Sequence, residues 1–302
     1  MNRVVILLGP TGVGKTAVSI RLARELDTEI ISADSMQIYR GMDIGTAKPT
    51  KKEMAGIPHH MIDIVDPSES FSTGRYIKEI TPIIGGLHRR GKVPLIVGGT
   101  GLYIKALTRG LFSGPPADWA LREELLSIEE DGGGTLYTYL SAIDPEAAAR
   151  IDRNDTRRTV RAIEVCLKGR DKISALQKKF TKPLPYEFIK IGLTRERKEL
   201  YGLIERRIDR MLQDGLIEEV RKLLTKKPDR TPLQAIGYKE IASYIEGRIP
   251  RDEAVRLMKR NTRRYAKRQF SWFNKEDGIR WIDLTGVGEI GDIFDKLLKA
   301  LE

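Results

Sequence analysis

A single cysteine, Cys166, and three histidines in 302 residues leave this chain without the means for most covalent or metal frameworks. A lone thiol closes no internal disulfide, and no multi-cysteine zinc site can be assembled around it. Set in the apolar-periodic stretch RAIEVCLKG, Cys166 reads as a buried structural thiol. His59 and His60 stand side by side near Asp63 and Asp66, but adjacent positions in an irregular segment make a poor metal site, and a structural role is expected. No apolar run approaches the ~20 residues that cross a bilayer. The short run VVILL passes directly into a glycine loop, not into a cleavage site, so a cytoplasmic protein without membrane contact is expected. Internal repeats and low-complexity tracts are absent too. Acidic residues are in deficit, 42 Asp and Glu against 53 Lys and Arg, for a formal net charge of +11. The segment from Arg248 to Arg268 concentrates the excess, with Arg256, Arg260, Arg263, Arg264, Lys267 and Arg268 among its cations and only Asp252 and Glu253 opposing them. Such density points to a polyanionic partner, with a solvated face as the plainer reading.

What is present begins at residue 4. VVILLGPTGVGKTAVSIR joins a buried-strand pattern to a complete G-x-x-x-x-G-K-T loop and then to a helical pattern. This is a P-loop in its proper context. Gly9, Gly12 and Gly14 permit the tight turn that converges backbone N–H groups on phosphate oxygens at a helix N-terminus. Pro10, Thr11 and Val13 complete the loop, Lys15 adds a mobile cation, and Thr16 a hydroxyl suited to Mg²⁺.

Short apolar runs then alternate with helical patterns: EIISAD, a helix around Tyr76 to Arg89, and PLIVGGT. This rhythm predicts βαβ units on a parallel sheet, with functional residues where the strands end. Asp34 and Gly98-Gly99-Thr100 are therefore expected to face the P-loop. A breaker cluster, GLFSGPPAD, interrupts the pattern, and a strand signal returns only at YEFIKIGL. The expected organisation is a P-loop α/β core of residues 1–112 and 186–302, holding a parallel sheet flanked by helices, with a mostly helical insertion over residues 113–185.

Asp34 closes a buried strand and opens the polar stretch DSMQIYRGMDIGTAKP. A carboxylate there can hold Mg²⁺, accept a proton, or merely cap a turn. Arg157, Arg158 and Arg161 lie on a helical pattern as either a solvated face or an RNA contact, and Trp272 and Phe273 read as packing. On these residues alone a P-loop nucleotide or small-molecule kinase explains the loop equally well. It explains the basic C-terminal segment poorly.

The ordered set GPTGVGKT, SADSMQIYRGMDIGTAKP, HHMIDIVDP, LIVGGTGLYI, RRTVRAIE, DGLIEEVRKL, QAIGYKE and YAKRQFSWF resembles the bacterial tRNA dimethylallyltransferases, from Arg3 to about Trp281. The resemblance implies transfer of a prenyl group from dimethylallyl diphosphate to N6 of adenosine 37, beside the anticodon, in tRNAs reading codons that begin with U. It implies that the P-loop, from Gly9 to Thr16, holds the leaving diphosphate with Mg²⁺ at Thr16, and that Arg207 supplies a second cation. It makes Asp34 the proton acceptor, with Thr11 beside it. It assigns tRNA contact to Asp34, Ser35, Met36, Gln37, Thr100, Arg122, Arg157, Arg158, Thr159, Val160, Arg161, Gly237, Tyr238 and Arg264, with the insertion gripping the anticodon stem. The expected partners are a tRNA anticodon stem-loop and dimethylallyl diphosphate, and one enzyme on one stem-loop is expected to act as a monomer.

Overall fold

The computed structural model describes residues 2–112, 114–169, 171–288 and 291–301. The chain forms two compact units: Met1–Ile104 with Pro185–Glu302, and Lys105–Leu184.

The first unit is built on six strands: β1 (Arg3–Leu8), β2 (Ile30–Ala33), β3 (His59–His60), β4 (Leu95–Gly98), β5 (Glu187–Thr194) and β6 (Ile279–Asp283). They lie in the order β3-β2-β4-β1-β5-β6, and every neighbouring pair is parallel. Position explains composition. β1 is central and covered on both faces, so Val4 to Leu8 are all at most 1% exposed, and only a continuous apolar run suits such a strand. The register sets Leu8 level with Gly98 and Gly192, and Ala33 level with Gly98. The strand ends therefore form one edge, from which the P-loop, Asp34 and the turn at Gly99 all depart. Gly98 is required by that closeness, since a Cβ on it would lie 2.2 Å from the Ala33 carbonyl oxygen.

β3 is a two-residue edge strand at the histidine pair. His60 Nε2 meets Glu29 Oε2 at 2.6 Å, and Arg90 Nη1 donates to Glu29 Oε1 at 2.5 Å. The Arg90 bond holds the Glu29 carboxyl below its usual range. These histidines pin the sheet edge, and no cluster of three or more His, Cys, Asp or Glu suited to a metal occurs among the described residues.

The basic segment is one long helix, Arg251–Phe273. Its buried stripe, Ala254, Met258, Thr262, Ala266, Gln269 and Phe273, recurs every three or four residues and packs into the unit's core. Part of its charge is spent inside the fold. Arg263 pairs with Glu205 and Lys259 with Asp209, both from the helix Arg197–Gln213, while Arg264, Lys267 and Arg268 form no ion pair among the described residues.

The second unit is helical, with a core of its own around Leu125, Leu136, Leu140, Val160, Ile163 and Val165. It starts at Lys105, inside the helix Gly101–Thr108 and ahead of the breaker cluster. Residue 113, the expected boundary, lies outside the described residues. Among the described residues no helix is long and apolar enough to cross a membrane.

Candidate active site

Gly14 takes φ 109°, a left-handed conformation that glycine adopts without strain, and from it the helix Lys15–Glu25 begins. The first N–H groups of that helix have no partner within it and mark its positive end. Lys15 folds across the loop, its Nζ donating to the Gly9 carbonyl at 2.9 Å and the Pro10 carbonyl at 2.8 Å. Burial pulls the Lys15 ammonium down to about 8; the nearby Asp34 charge opposes the shift and Arg207 adds to it.

Arg207 arrives from the helix Arg197–Gln213 and donates from Nη2 to Thr11 Oγ1 at 2.6 Å. Its Nε is sealed from solvent with no hydrogen-bond partner among the described residues, an unused donor beside the P-loop. Burial lowers the guanidinium, and Asp34 opposes that shift as well. Two cations from distant parts of the chain thus feel the charge of the same carboxylate.

Asp34 follows β2 directly. Its Oδ1 accepts from the backbone N–H of Met36 at 2.8 Å and of Gln37 at 3.4 Å, so the carboxylate caps its own turn and is fixed by it, with Oδ2 outside these bonds. Thr100 locks the turn to β4: its N–H donates to the Ala33 carbonyl at 3.2 Å, and its Oγ1 accepts from Ser35 N–H at 3.1 Å. Lys15, Thr16, Asp34, Gln37, His59 and Val97 all line one cavity beside the loop. Burial pushes the His59 imidazole down, which favours its neutral form.

Three residues with no assigned role hold this arrangement. Glu219 accepts from the backbone N–H groups of Asp43, Ile44 and Gly45 and from the Tyr238 hydroxyl. Lys48, its side chain only 4% exposed, reaches Asp43, Asp63 and the Tyr39 carbonyl. Gln269 accepts from Thr11 N–H. The only sequence signal for Gln269 was a polar residue on an apolar helical stripe. Glu219 and Lys48 look like surface charges in the sequence, since their partners lie far along the chain or are backbone groups.

The residues expected to contact tRNA differ in exposure and in the partners they already have. Thr159, Val160 and Tyr238 are 1%, 4% and 0% exposed, and Gly237 is buried. The Tyr238 hydroxyl is consumed by Glu219, and Thr159 bonds the Asp155 carbonyl. Arg122 and Arg161 both bind the fully buried Glu164. Burial alone would raise the Glu164 carboxyl; bonds from Arg122, the Asp118 N–H and Arg161 outweigh it and hold the group below its usual range. Arg157 and Arg264 are exposed and form no ion pair among the described residues, and Arg158 is exposed with a 3.3 Å contact to Asp155.

A parallel sheet whose central strand runs into such a loop defines a P-loop α/β protein. Residues 37–276 match the family described as IPP transferase, and residues 2–66 match isopentenyl transferase. A tRNA dimethylallyltransferase of Thermodesulfovibrio yellowstonii is 55% identical, the match covering 99% of this chain and 98% of that protein. The crystal structure of a tRNA isopentenylpyrophosphate transferase from Bacillus halodurans superposes with a TM-score of 0.74 at 44% identity, covering 100% of this chain and 97% of that one. A eukaryotic dimethylallyltransferase acting on tRNA superposes with a TM-score of 0.80 at 30% identity, covering 98% of this chain and 80% of that one. The chain belongs to the IPP transferase family, the tRNA dimethylallyltransferases. The kinase reading falls with that membership.

Proposed function

We propose that this protein transfers the dimethylallyl group of dimethylallyl diphosphate to N6 of adenosine 37 in tRNAs that read codons beginning with U. The observation that carries the reading is the P-loop with two cations on it, Lys15 across the Gly9 and Pro10 carbonyls and Arg207 on Thr11, and with Asp34 lining the same cavity as Lys15.

The exocyclic amine of adenine is a weak nucleophile, because its lone pair is delocalised into the ring. The site must therefore make the carbon electrophilic by stabilising departure of the diphosphate, and preorganised positive charge in a dry site does so. The P-loop N–H groups, Lys15 and Arg207 supply that charge. As N6 bonds to C1 of the dimethylallyl group, the C1–O bond breaks, its electron pair leaves with the diphosphate, and the N6 proton passes to Asp34. No nucleotide is consumed. The donor set also fits Mg²⁺: the Thr16 hydroxyl and the Asp34 carboxylate border one cavity, and a metal that keeps water and phosphate oxygens as ligands needs few groups from the protein. When bound by Thr16 and the diphosphate, Mg²⁺ would neutralise leaving-group charge.

Adenosine must leave the anticodon-loop stack to react, which costs less in a single-stranded loop than in a duplex. Arg157 and Arg158 on the helical unit, and Arg264 on the basic helix, are exposed cations that suit tRNA phosphates, and we assign the helical unit to the anticodon stem. The test incubates the protein with unmodified tRNA, dimethylallyl diphosphate and Mg²⁺, then digests the RNA and measures nucleoside masses. Prenylated adenosine without added nucleotide is expected. A strict requirement for ATP, or no prenylated product, would overturn the reading.

A further inference from the structure

Gln269 lies on the buried stripe of a helix whose other face is cationic, between the apolar Ala266 and Phe273. A glutamine there gives up water and rotamer freedom, a cost that only satisfied hydrogen bonds offset. Both ends of its amide are satisfied. Oε1 accepts from the Thr11 N–H at 2.8 Å, and Nε2 donates to the Gly99 carbonyl at 2.8 Å. These partners belong to different strand-end loops, the P-loop after β1 and the turn after β4. On the P-loop side, Thr11 is held twice, its N–H by Gln269 and its hydroxyl by Arg207. On the other side, Gly99 leads into Thr100, which bonds the Ala33 carbonyl and the Ser35 N–H on either side of Asp34.

We propose that Gln269 is a positioning residue for prenyl transfer: its side-chain amide clamps the diphosphate loop to the turn that braces Asp34, and so fixes the separation between leaving group and proton acceptor. The proposal rests on the functional reading above. Displacement at C1 needs nucleophile, carbon and leaving oxygen in line, and a displacement of about 1 Å costs roughly 10²-fold in rate. With the amide gone, the Thr11 N–H and the Gly99 carbonyl lose their partners and the two loops are free to drift apart.

The test is a double-mutant cycle between Gln269 and Asp34, read by kcat, both KM values, tRNA affinity and the thermal midpoint. Gln269→Leu removes both bonds at similar volume. It should lower kcat roughly 10- to 100-fold and raise KM for dimethylallyl diphosphate to a smaller degree. Affinity for tRNA should be unchanged. In an Asp34→Ala background the same substitution should cost far less, because the placement of an absent proton acceptor no longer matters. A glutamine that merely supports the fold would lower the rate by the same factor in both backgrounds. Equal factors, or undiminished kcat in a folded Gln269→Leu protein, would overturn the proposal. Should Gln269→Leu fail to fold, the isosteric Gln269→Glu serves in the same cycle, since it keeps an acceptor for Thr11 and sets a carboxylate oxygen against the Gly99 carbonyl. Wild-type protein that leaves tRNA unprenylated would overturn the functional reading itself, before any variant is compared.

Discussion

At the scale of single residues, the site separates chemistry from binding. Asp34 is held by its own turn and touches the charge balance of both Lys15 and Arg207, so Asp34→Ala should act on the chemical step. Losing a general base costs about 10²–10⁴ in rate. The expected result is a fall in kcat of that size with a far smaller loss of tRNA affinity in a filter-binding assay; turnover near wild type would remove the carboxylate from the proton transfer. Lys15 supplies a pH signature. Its ammonium, brought to about 8 by burial, is charged below that pH and loses its proton as pH rises through it. The kcat/KM for dimethylallyl diphosphate, which reports the free enzyme, should therefore decline above about pH 8. Bound diphosphate favours the charged lysine, so kcat should hold to higher pH than kcat/KM. Lys15→Arg keeps its charge throughout and should abolish the alkaline limb, whatever its absolute rate. A limb that survives in Lys15→Arg would belong to another group.

Among the elements, the segment after β2 shows how an irregular stretch is made rigid. Residues 34–49 carry little regular structure, yet Glu219 collects three successive backbone N–H groups from them and Lys48 staples the same loop to Asp63. Tyr238 completes this clamp from the start of the helix Tyr238–Ile245, donating to Glu219 Oε1 at 2.6 Å. A buried hydroxyl bonded to a carboxylate contributes about 1.5–3 kcal/mol. Tyr238→Phe should lower stability by that amount in urea unfolding and leave tRNA affinity alone. Weakened tRNA binding with unchanged stability would instead make Tyr238 an RNA contact.

Across the whole molecule, a net charge of +11 leaves cations over after every acid is matched, but pairing decides which ones they are. Arg122 and Arg161 neutralise Glu164 inside the helical unit, and Lys259 and Arg263 are paired with acids of a neighbouring helix. Arg157 and Arg264 are among the exposed cations left for phosphates. Substituting either by alanine should weaken tRNA binding and reduce the slope of log affinity against log salt by roughly 0.7–0.9 per contact. Affinity for dimethylallyl diphosphate should be unaffected. Arg161→Ala should behave differently, destabilising the protein by about 1–3 kcal/mol by leaving Glu164 short of a partner. Unchanged salt slopes in the Arg157 and Arg264 variants would mean that these faces are merely solvated.

Local order determined the parts that the sequence alone makes legible. The P-loop is contiguous, its glycines and Lys15 act through backbone geometry within eight residues, and the alternation of apolar runs with helical patterns dictates a parallel sheet. Because parallel strands end on one side, the meeting of Asp34, Thr100 and the P-loop followed from their places after β2, β4 and β1. Tertiary structure decided everything that depends on which distant group reaches a buried polar atom. Gln269 meets Thr11 from 258 positions away, and Glu219 meets the Asp43 to Gly45 backbone from across the core. It also sorted the charges, turning Arg122 and Arg161 inward while leaving Arg157 outside, and it buried Thr159, Val160 and Tyr238. Composition counts cations and hydroxyls but is blind to their pairing, whereas burial makes an unpaired polar group costly and so selects, residue by residue, which of them are spent on the fold and which stay free for a ligand.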